Sequence, residues 1–397
     1  MSDLPRLMHH FEPKKGWIND PNGLCFFGGK YHAFFQHYPF EAKWGPMHWG
    51  HAVSEDLVSW EELPIALYPD MPYENGGGCF SGSALEKDGV LYLMYTSVSK
   101  EHGQTQSIAV SRDGLHFEKL PENPVIPQSP LDSENRDFRD PKIFPYGDGY
   151  RMVCGAGQGG MGYVLLFCSP DLLHWEYAGK LFESDQFGAV PECPDFFPLG
   201  DKWVLLFSRM DTRSAQFIVG EFDGVHFTPE SYQQPECGTD FYAPQTFLDG
   251  KGRRLMIGWL YNWDRKVPEG ASYAGALSVP TELTLRDGKV FHYPAEETQS
   301  LLRGEDEHLP AGRCAEGDKR SAFCWSVPFP RYRMQRYCGI PKPVRSSSTV
   351  ESRAAPFILS ECPRPATSFH SERPKSEPQK TAARFRLSKK AASQQLF

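Results

Sequence analysis

No run of eighteen apolar residues occurs in the 397-residue chain, so no segment reads as a membrane-spanning helix. Nor does a basic-then-apolar leader open it; the chain runs almost directly into His9-His10-Phe11-Glu12-Pro13. The ten cysteines form no short disulfide framework. Cys25, Cys79, Cys154 and Cys168 sit mostly among apolar neighbours, as small core residues do. Together these absences point to a cytoplasmic protein in a reducing compartment, with no membrane association. His-Glu-x-x-His and paired Cys-x-x-Cys signatures are also missing, so nothing local points to a metal.

What is present is unevenly spread. Aromatics make up 14% of the chain, with 36 glycines and 34 prolines, the supply expected of many strands joined by turns. The net charge of -8 conceals a split. Residues 311–397 carry 17 Lys and Arg against 6 Asp and Glu, whereas residues 1–310 carry 25 against 44. The basic part has no nucleic-acid-binding motif, and no nucleic-acid partner is expected from charge alone.

A phrase recurs along the acidic part. Ser54-Glu55-Asp56-Leu57-Val58-Ser59-Trp60 is followed by Ser111-Arg112-Asp113-Gly114-Leu115-His116-Phe117, Ser169-Pro170-Asp171-Leu172-Leu173-His174-Trp175 and Glu221-Phe222-Asp223-Gly224-Val225-His226-Phe227. Successive starts are 57, 58 and 52 positions apart. Each copy places an Asp-Leu or Asp-Gly turn before an aromatic. Leu91–Tyr95 and Trp203–Phe207 read as strands between them, and Leu255–Trp259 as one after the last. A period near fifty with several short strands per repeat predicts an all-β fold, a β-propeller of about five blades over residues 9–300. The innermost strands of a propeller line a central funnel, where acids far apart in sequence meet.

Three acids sit in rigid settings. Trp17-Ile18-Asn19-Asp20-Pro21-Asn22-Gly23 fixes Asp20 between a proline and a turn, beside aromatics. Phe138-Arg139-Asp140-Pro141 repeats the Asp-Pro arrangement, with an arginine able to bind substrate or hold a carboxylate ionised. Val190-Pro191-Glu192-Cys193-Pro194-Asp195 places a glutamate among apolar residues, a setting that raises a carboxyl pKa and suits a proton donor. Retaining glycoside hydrolysis needs one ionised and one protonated carboxyl about 5 Å apart. Trp44, Trp49, Phe80, Trp259 and Trp263 are candidate apolar walls for a sugar ring.

Six motifs then carry a resemblance. They are Trp17 to Gly23, Trp49-Gly50-His51-Ala52, Phe80-Ser81-Gly82-Ser83-Ala84, Phe138 to Pro141, Glu192 to Asp195, and Asp240-Phe241-Tyr242-Ala243-Pro244-Gln245. In these, and in their order, the chain resembles glycoside hydrolase family 32, the invertases, sucrose-6-phosphate hydrolases, inulinases and levanases. The resemblance implies a five-bladed propeller and a β-fructofuranosidase that takes sucrose or sucrose 6-phosphate as small-molecule substrate, without metal or organic cofactor. It implies Asp20 as nucleophile, Glu192 as acid/base and Asp140 as transition-state stabiliser. Asn19, Gln36, Trp44, Phe80, Ser81, Arg139, Tyr242 and Trp263 would bind the sugar. A fructan hydrolase, a fructosyltransferase or an inactive sugar-binding propeller remain alternatives. For a 6-phosphate, Lys43 or Arg265-Lys266 are the basic candidates, although both also suit a solvated surface.

The resemblance stops near residue 305. Family members continue into a β-sandwich; this chain becomes rich in Arg, Ser and Pro, as in Arg331-Tyr332-Arg333-Met334-Gln335-Arg336. The expected organisation is a catalytic propeller over 1–305 and a divergent or disordered segment over 306–397. The segment reads as a shifted reading frame or as a genuine basic tail. Loss of a sandwich would expose apolar surface and lower stability while leaving the three acids in place.

Overall fold

The computed structural model describes residues 6–302, apart from 8, 132–136 and 237. The boundary expected at 305 and the basic tail of 306–397 lie outside those residues. The described chain is all-β and forms a five-bladed propeller. Blade 1 holds β1 (Gly16–Phe27), β2 (Lys30–Tyr38), β3 (His48–Ser54) and β4 (Glu61–Leu67). Blade 2 holds β5 (Gly78–Lys87), β6 (Val90–Ser99), β7 (Gly103–Ser111) and β8 (Glu118–Lys119). Blade 3 follows with β9 (Phe138–Tyr146), β10 (Gly149–Gln158), β11 (Met161–Ser169) and β12 (Glu176–Ser184). Blade 4 comprises β13 (Pro191–Leu199), β14 (Lys202–Arg209), β15 (Ser214–Phe222) and β16 (Phe227–Gln233). In blade 5, β17 (Tyr242–Leu248) and β18 (Arg254–Trp259) are followed by β19 (Tyr273–Ala274), then β20 (Thr281–Arg286) and β21 (Lys289–Pro294).

Within each blade the strands pair antiparallel in chain order, except that β19 leaves blade 5 and pairs parallel with β1. The Leu277 amide also donates to the Phe11 carbonyl at 2.9 Å, so the N-terminal segment is clasped by the last blade and the ring closes. The first strands β1, β5, β9, β13 and β17 touch in a ring.

Each inter-blade seam has its own apolar core. Phe34, Trp49, Leu93 and Tyr95 fill the seam of blades 1 and 2, and Met94, Ile108, Phe138 and Phe167 that of blades 2 and 3. In β14, Leu205 and Phe207 face blade 3 while Val204 and Leu206 face blade 5. Both faces of a central strand are therefore buried, which is why Trp203–Phe207 reads as a continuous apolar run rather than an alternation. Burying one such Leu or Phe contributes about 1.5–3 kcal/mol.

The recurring phrase is the hairpin between the third and fourth strands of blades 1 to 4. Asp56, Asp113, Asp171 and Asp223 each accept, on Oδ1, the backbone N–H groups two and three residues on, at 2.7–2.9 Å. The next residue is left-handed in all four copies, with φ of 63° at Leu57, 71° at Gly114, 77° at Leu172 and 107° at Gly224. Glycine meets this without strain; leucine costs about 1–2 kcal/mol. Leu57 and Leu172 offset it by burying their side chains completely in the seams. Blade 5 has no copy because a two-residue turn, Asp287-Gly288, joins β20 to β21.

Candidate active site

All five first strands are deformed at one height. Two residues oppose one on the neighbouring strand at Asn19-Asp20 against Gln36, and at Phe80-Ser81 against Thr96. The same happens at Asp140-Pro141 against Cys154, Cys193-Pro194 against Phe207, and Ala243-Pro244 against Gly258. These are β-bulges, which bend a strand and re-aim its side chains. In three of them the first residue is left-handed: Asp140 at φ 64°, Cys193 at 48° and Ala243 at 48°. The following proline has no N–H to leave unpaired at the break. Because all five lie near the start of their strands, the bulged residues gather at one end of the funnel. The aspartate hairpins lie at the opposite end, since an antiparallel blade puts its third-to-fourth turn there.

Asp20, Asp140 and Glu192 meet at this mouth. Ser81 donates to Asp20 Oδ2 at 2.6 Å, and the Cys193 thiol approaches the same oxygen at 3.4 Å. Asp20 Oδ1 is buried and has no hydrogen-bond partner. Asp140 Oδ2 accepts the Cys193 N–H at 2.8 Å, and the Asp140 N–H donates to Thr96 Oγ1 at 2.9 Å. Arg139 donates to Glu192 Oε1 at 3.0 Å and to Asp137 Oδ1 at 2.8 Å; Tyr242 donates to Glu192 Oε2.

Burial pushes Asp20 above the usual carboxylate range, against the hydrogen bond from Ser81, and the Glu192 charge adds to the rise. Burial likewise raises Asp140 to about 7; the Arg139 guanidinium opposes this, while the Asp20 and Glu192 charges reinforce it. Burial works against the Arg139 cation, yet the surrounding carboxylates, Glu192 first, hold it firmly charged. Tyr242 and Cys193 are raised well above their ordinary values, chiefly by burial, and remain protonated donors.

The other expected site residues fall into two groups. Asn19 and Gln36 are buried beneath the mouth: Asn19 accepts from Trp17 Nε1 at 2.7 Å, and Gln36 donates to the Cys79 carbonyl at 2.9 Å. Trp44, 47% exposed, stands edge-on to Phe80 at 6.1 Å, and Trp263 packs on Trp17 and Trp259. Two expected walls are not walls. Trp49 and Trp259 have no exposed surface: Trp49 fills a seam core, and Trp259 lies under Trp17, Tyr261 and Trp263. The apolar setting expected of Glu192 is also corrected, since an arginine and a tyrosine both donate to it. Of the basic candidates, Lys43 is exposed and pairs with Glu41 at 2.7 Å, and Arg265 pairs with Asp240.

Sequence reading passed over Cys193, Thr96 and a buried pair beneath the site. Lys142 Nζ lies 3.1 Å from Asp195 Oδ2, which also accepts the Thr246 N–H at 2.6 Å, so β9, β13 and β17 are tied together. The available signal was a lysine directly before the apolar run Ile143-Phe144-Pro145 of a buried strand. Among the described residues no group of three or more His, Cys, Asp or Glu is placed to hold a metal.

Carboxyl groups from separate blades meeting at one end of a five-bladed propeller define the class of propeller glycosidases. Within that class the chain belongs to glycosyl hydrolase family 32: the model of the glycosyl hydrolases family 32 N-terminal domain matches residues 10–294. The chain is 38% identical to the sucrose-6-phosphate hydrolase of Zymomonas mobilis, over 75% of this chain and 63% of the relative. It is 39% identical to the levanase of Bacillus subtilis, over 75% and 48% of the two chains. The β-fructofuranosidase structure from Bombyx mori superposes with a TM-score of 0.69 at 38% identity, covering 75% of this chain and 66% of that one. The chain thus spans less than two thirds of the length of these relatives.

Proposed function

We propose that the chain is a retaining β-fructofuranosidase that cleaves sucrose 6-phosphate and sucrose to fructose and glucose 6-phosphate or glucose. The observation that carries the reading is the state of Asp20: Oδ2 is held by Ser81 and Cys193, and the buried Oδ1 has no hydrogen-bond partner. A nucleophile needs one oriented carboxylate with a free oxygen. Oδ1 attacks the fructosyl anomeric carbon while Glu192 delivers a proton to the glycosidic oxygen, so the leaving sugar departs neutral. The fructosyl group is then an ester of Asp20. Glu192, now a carboxylate, takes a proton from water, the water oxygen attacks the same carbon, and Asp20 leaves as carboxylate. Two displacements retain configuration.

Burial of Asp20 and Asp140 beside a third carboxyl favours keeping a proton in the cluster. Asp140, held by Cys193 and Thr96, faces fructose hydroxyls and strengthens its hydrogen bonds as positive charge develops on the ring. Arg139 and Tyr242 orient Glu192, Asn19 and Gln36 support the floor, and Phe80, Trp44 and Trp263 shape the apolar rim. A propeller of residues 1–305 is the catalytic unit in this reading. A cytoplasmic setting belongs to it as well, since Cys25, Cys79, Cys154, Cys168 and Cys193 are all free thiols.

The test is release of glucose or glucose 6-phosphate from the two substrates by the purified chain, with Asp20→Ala as control. Release that disappears in the variant is expected; release that survives removes Asp20 from the nucleophile role. Comparison with inulin and levan separates the fructan-hydrolase alternative, which the levanase likeness keeps open.

A further inference from the structure

A cavity of about 330 Å³ opens beside the acid, between blades 4 and 5. Its walls come from the β14–β15 turn (Arg209, Asp211 to Ser214), from Gln234, Gly238 and Thr239, and from Asn262 and Asp264. The β14–β15 loop lies at the mouth end, because β13 starts there and β14 returns to it. Arg209 pairs across the sheet with Pro191, next to Glu192. Met210, between two lining residues, places its Sδ 3.6 Å from the Arg139 nitrogen that holds Glu192. A proton donor must touch the glycosidic oxygen, so the departing sugar lies on the Glu192 side, toward this cavity.

The charges in the cavity are not equally committed. Arg209 makes a two-point pair with Asp211, at 3.0 and 2.7 Å, and is closed off. Asp264, on the facing wall, has its backbone N–H bonded to Asn262. Arg213 is half-buried and lines the cavity, yet among the described residues its guanidinium has no hydrogen-bond or ion-pair partner. It also holds φ 53°, a left-handed position that glycine or asparagine occupies at less cost. A half-buried, unpaired guanidinium in a polar cavity suits a dianionic phosphate, which its planar fork can bind at two points. Thr212 and Ser214, whose hydroxyls lie 2.8 Å apart and share one hydrogen bond, keep lone pairs and one hydroxyl proton for the same ligand or for sugar hydroxyls.

We infer that this cavity receives the phosphorylated end of the leaving hexose and that Arg213 is the residue selecting a sugar phosphate over the plain sugar. The inference rests on the proposed fructosidase reading, and it replaces Lys43, Arg265 and Lys266 as candidates: the first two already have acidic partners, and Lys266 is exposed. Asp264 opposes an anion but can accept a sugar hydroxyl, so the phosphate seats on the Arg213 side.

The test is calorimetric titration of the full chain with glucose 6-phosphate, glucose and inorganic phosphate, for the wild type, Arg213→Gln and Arg213→Gly. Arg213→Gly relieves the left-handed backbone, so a folding defect cannot account for its effect. Wild type should bind glucose 6-phosphate more tightly than glucose or inorganic phosphate. Both variants should weaken glucose 6-phosphate by about 10- to 100-fold, the scale of a lost charged hydrogen bond, with no matching loss for glucose. The kcat/KM ratio of sucrose 6-phosphate to sucrose should fall by a similar factor. Equal affinity for the two sugars, equal losses for both, or inorganic phosphate binding as well as the sugar phosphate would overturn the inference. If the wild type binds glucose 6-phosphate through Arg213 yet hydrolyses neither substrate, the fructosidase reading falls and the subsite stands.

Discussion

Replacing Asp140 by asparagine should stabilise the protein at alkaline pH while removing its activity. The carboxyl is 6% exposed and titrates at about 7 instead of 3.8, because burial and two neighbouring carboxylates outweigh Arg139. Its folded-state pKa thus lies above the unfolded one, so the native state binds this proton more tightly. The stabilising contribution is fully present below about pH 4 and is lost as pH rises through about 7. A rise of roughly three units, at about 1.36 kcal/mol each, amounts to about 4 kcal/mol once the group is ionised. Asparagine has the same shape without the charge, keeps an oxygen for the Cys193 N–H, and is among the few residues that tolerate the left-handed backbone of Asp140. Denaturant unfolding followed by tryptophan fluorescence should find variant and wild type similar near pH 4. The variant should be more stable by up to about 4 kcal/mol at pH 8 and inactive at both. An Asp140→Asn protein no more stable than wild type at pH 8 would refute the reasoning.

Two further substitutions probe neighbouring features. Glu192→Gln should slow sucrose cleavage severely but slow substrates with good leaving groups much less, since these need little protonation; equal losses in a leaving-group series of kcat/KM would remove Glu192 from the acid role. Lys142→Met removes the cation paired with the buried Asp195, leaving it only the field of Arg254, and should cost up to about 3–5 kcal/mol in unfolding free energy. Adding Asp195→Leu should recover most of that loss, and a double variant no better than the single one would show that the pair is not what ties β9 to β13.

The propeller was legible because its repeat is local chemistry. An aspartate that caps its own turn, a left-handed residue and an aromatic wedge make a seven-residue pattern visible without any tertiary contact. The three acids were legible through proline, which follows the bulge at Asn19-Asp20 and is the second residue of those at Asp140-Pro141 and Cys193-Pro194. The sidedness of the aromatics was not. Trp44 and Trp49 are five positions apart, yet one is 47% exposed and the other wholly enclosed, because only the neighbouring blade decides which face is covered. Nor could spacing show that Arg139 turns to Glu192, or that the Cys193 amide and thiol serve Asp140 and Asp20 at once. Those partners are brought together by bulges in different blades, and left-handed Asp140, Cys193 and Ala243 carry no compositional mark.

The most direct test of the account is to look for the covalent intermediate. Glu192→Ala, which can neither protonate the leaving sugar nor activate water, would be given a fructosyl donor with a good leaving group, quenched in acid, digested and mapped by mass spectrometry. One fructosyl unit on Asp20, in the peptide containing Trp17–Gly23, is the predicted result. Turnover of that donor without any adduct on Asp20, or with fructose released in inverted configuration, would contradict the central claim that Asp20 attacks through its unpartnered oxygen.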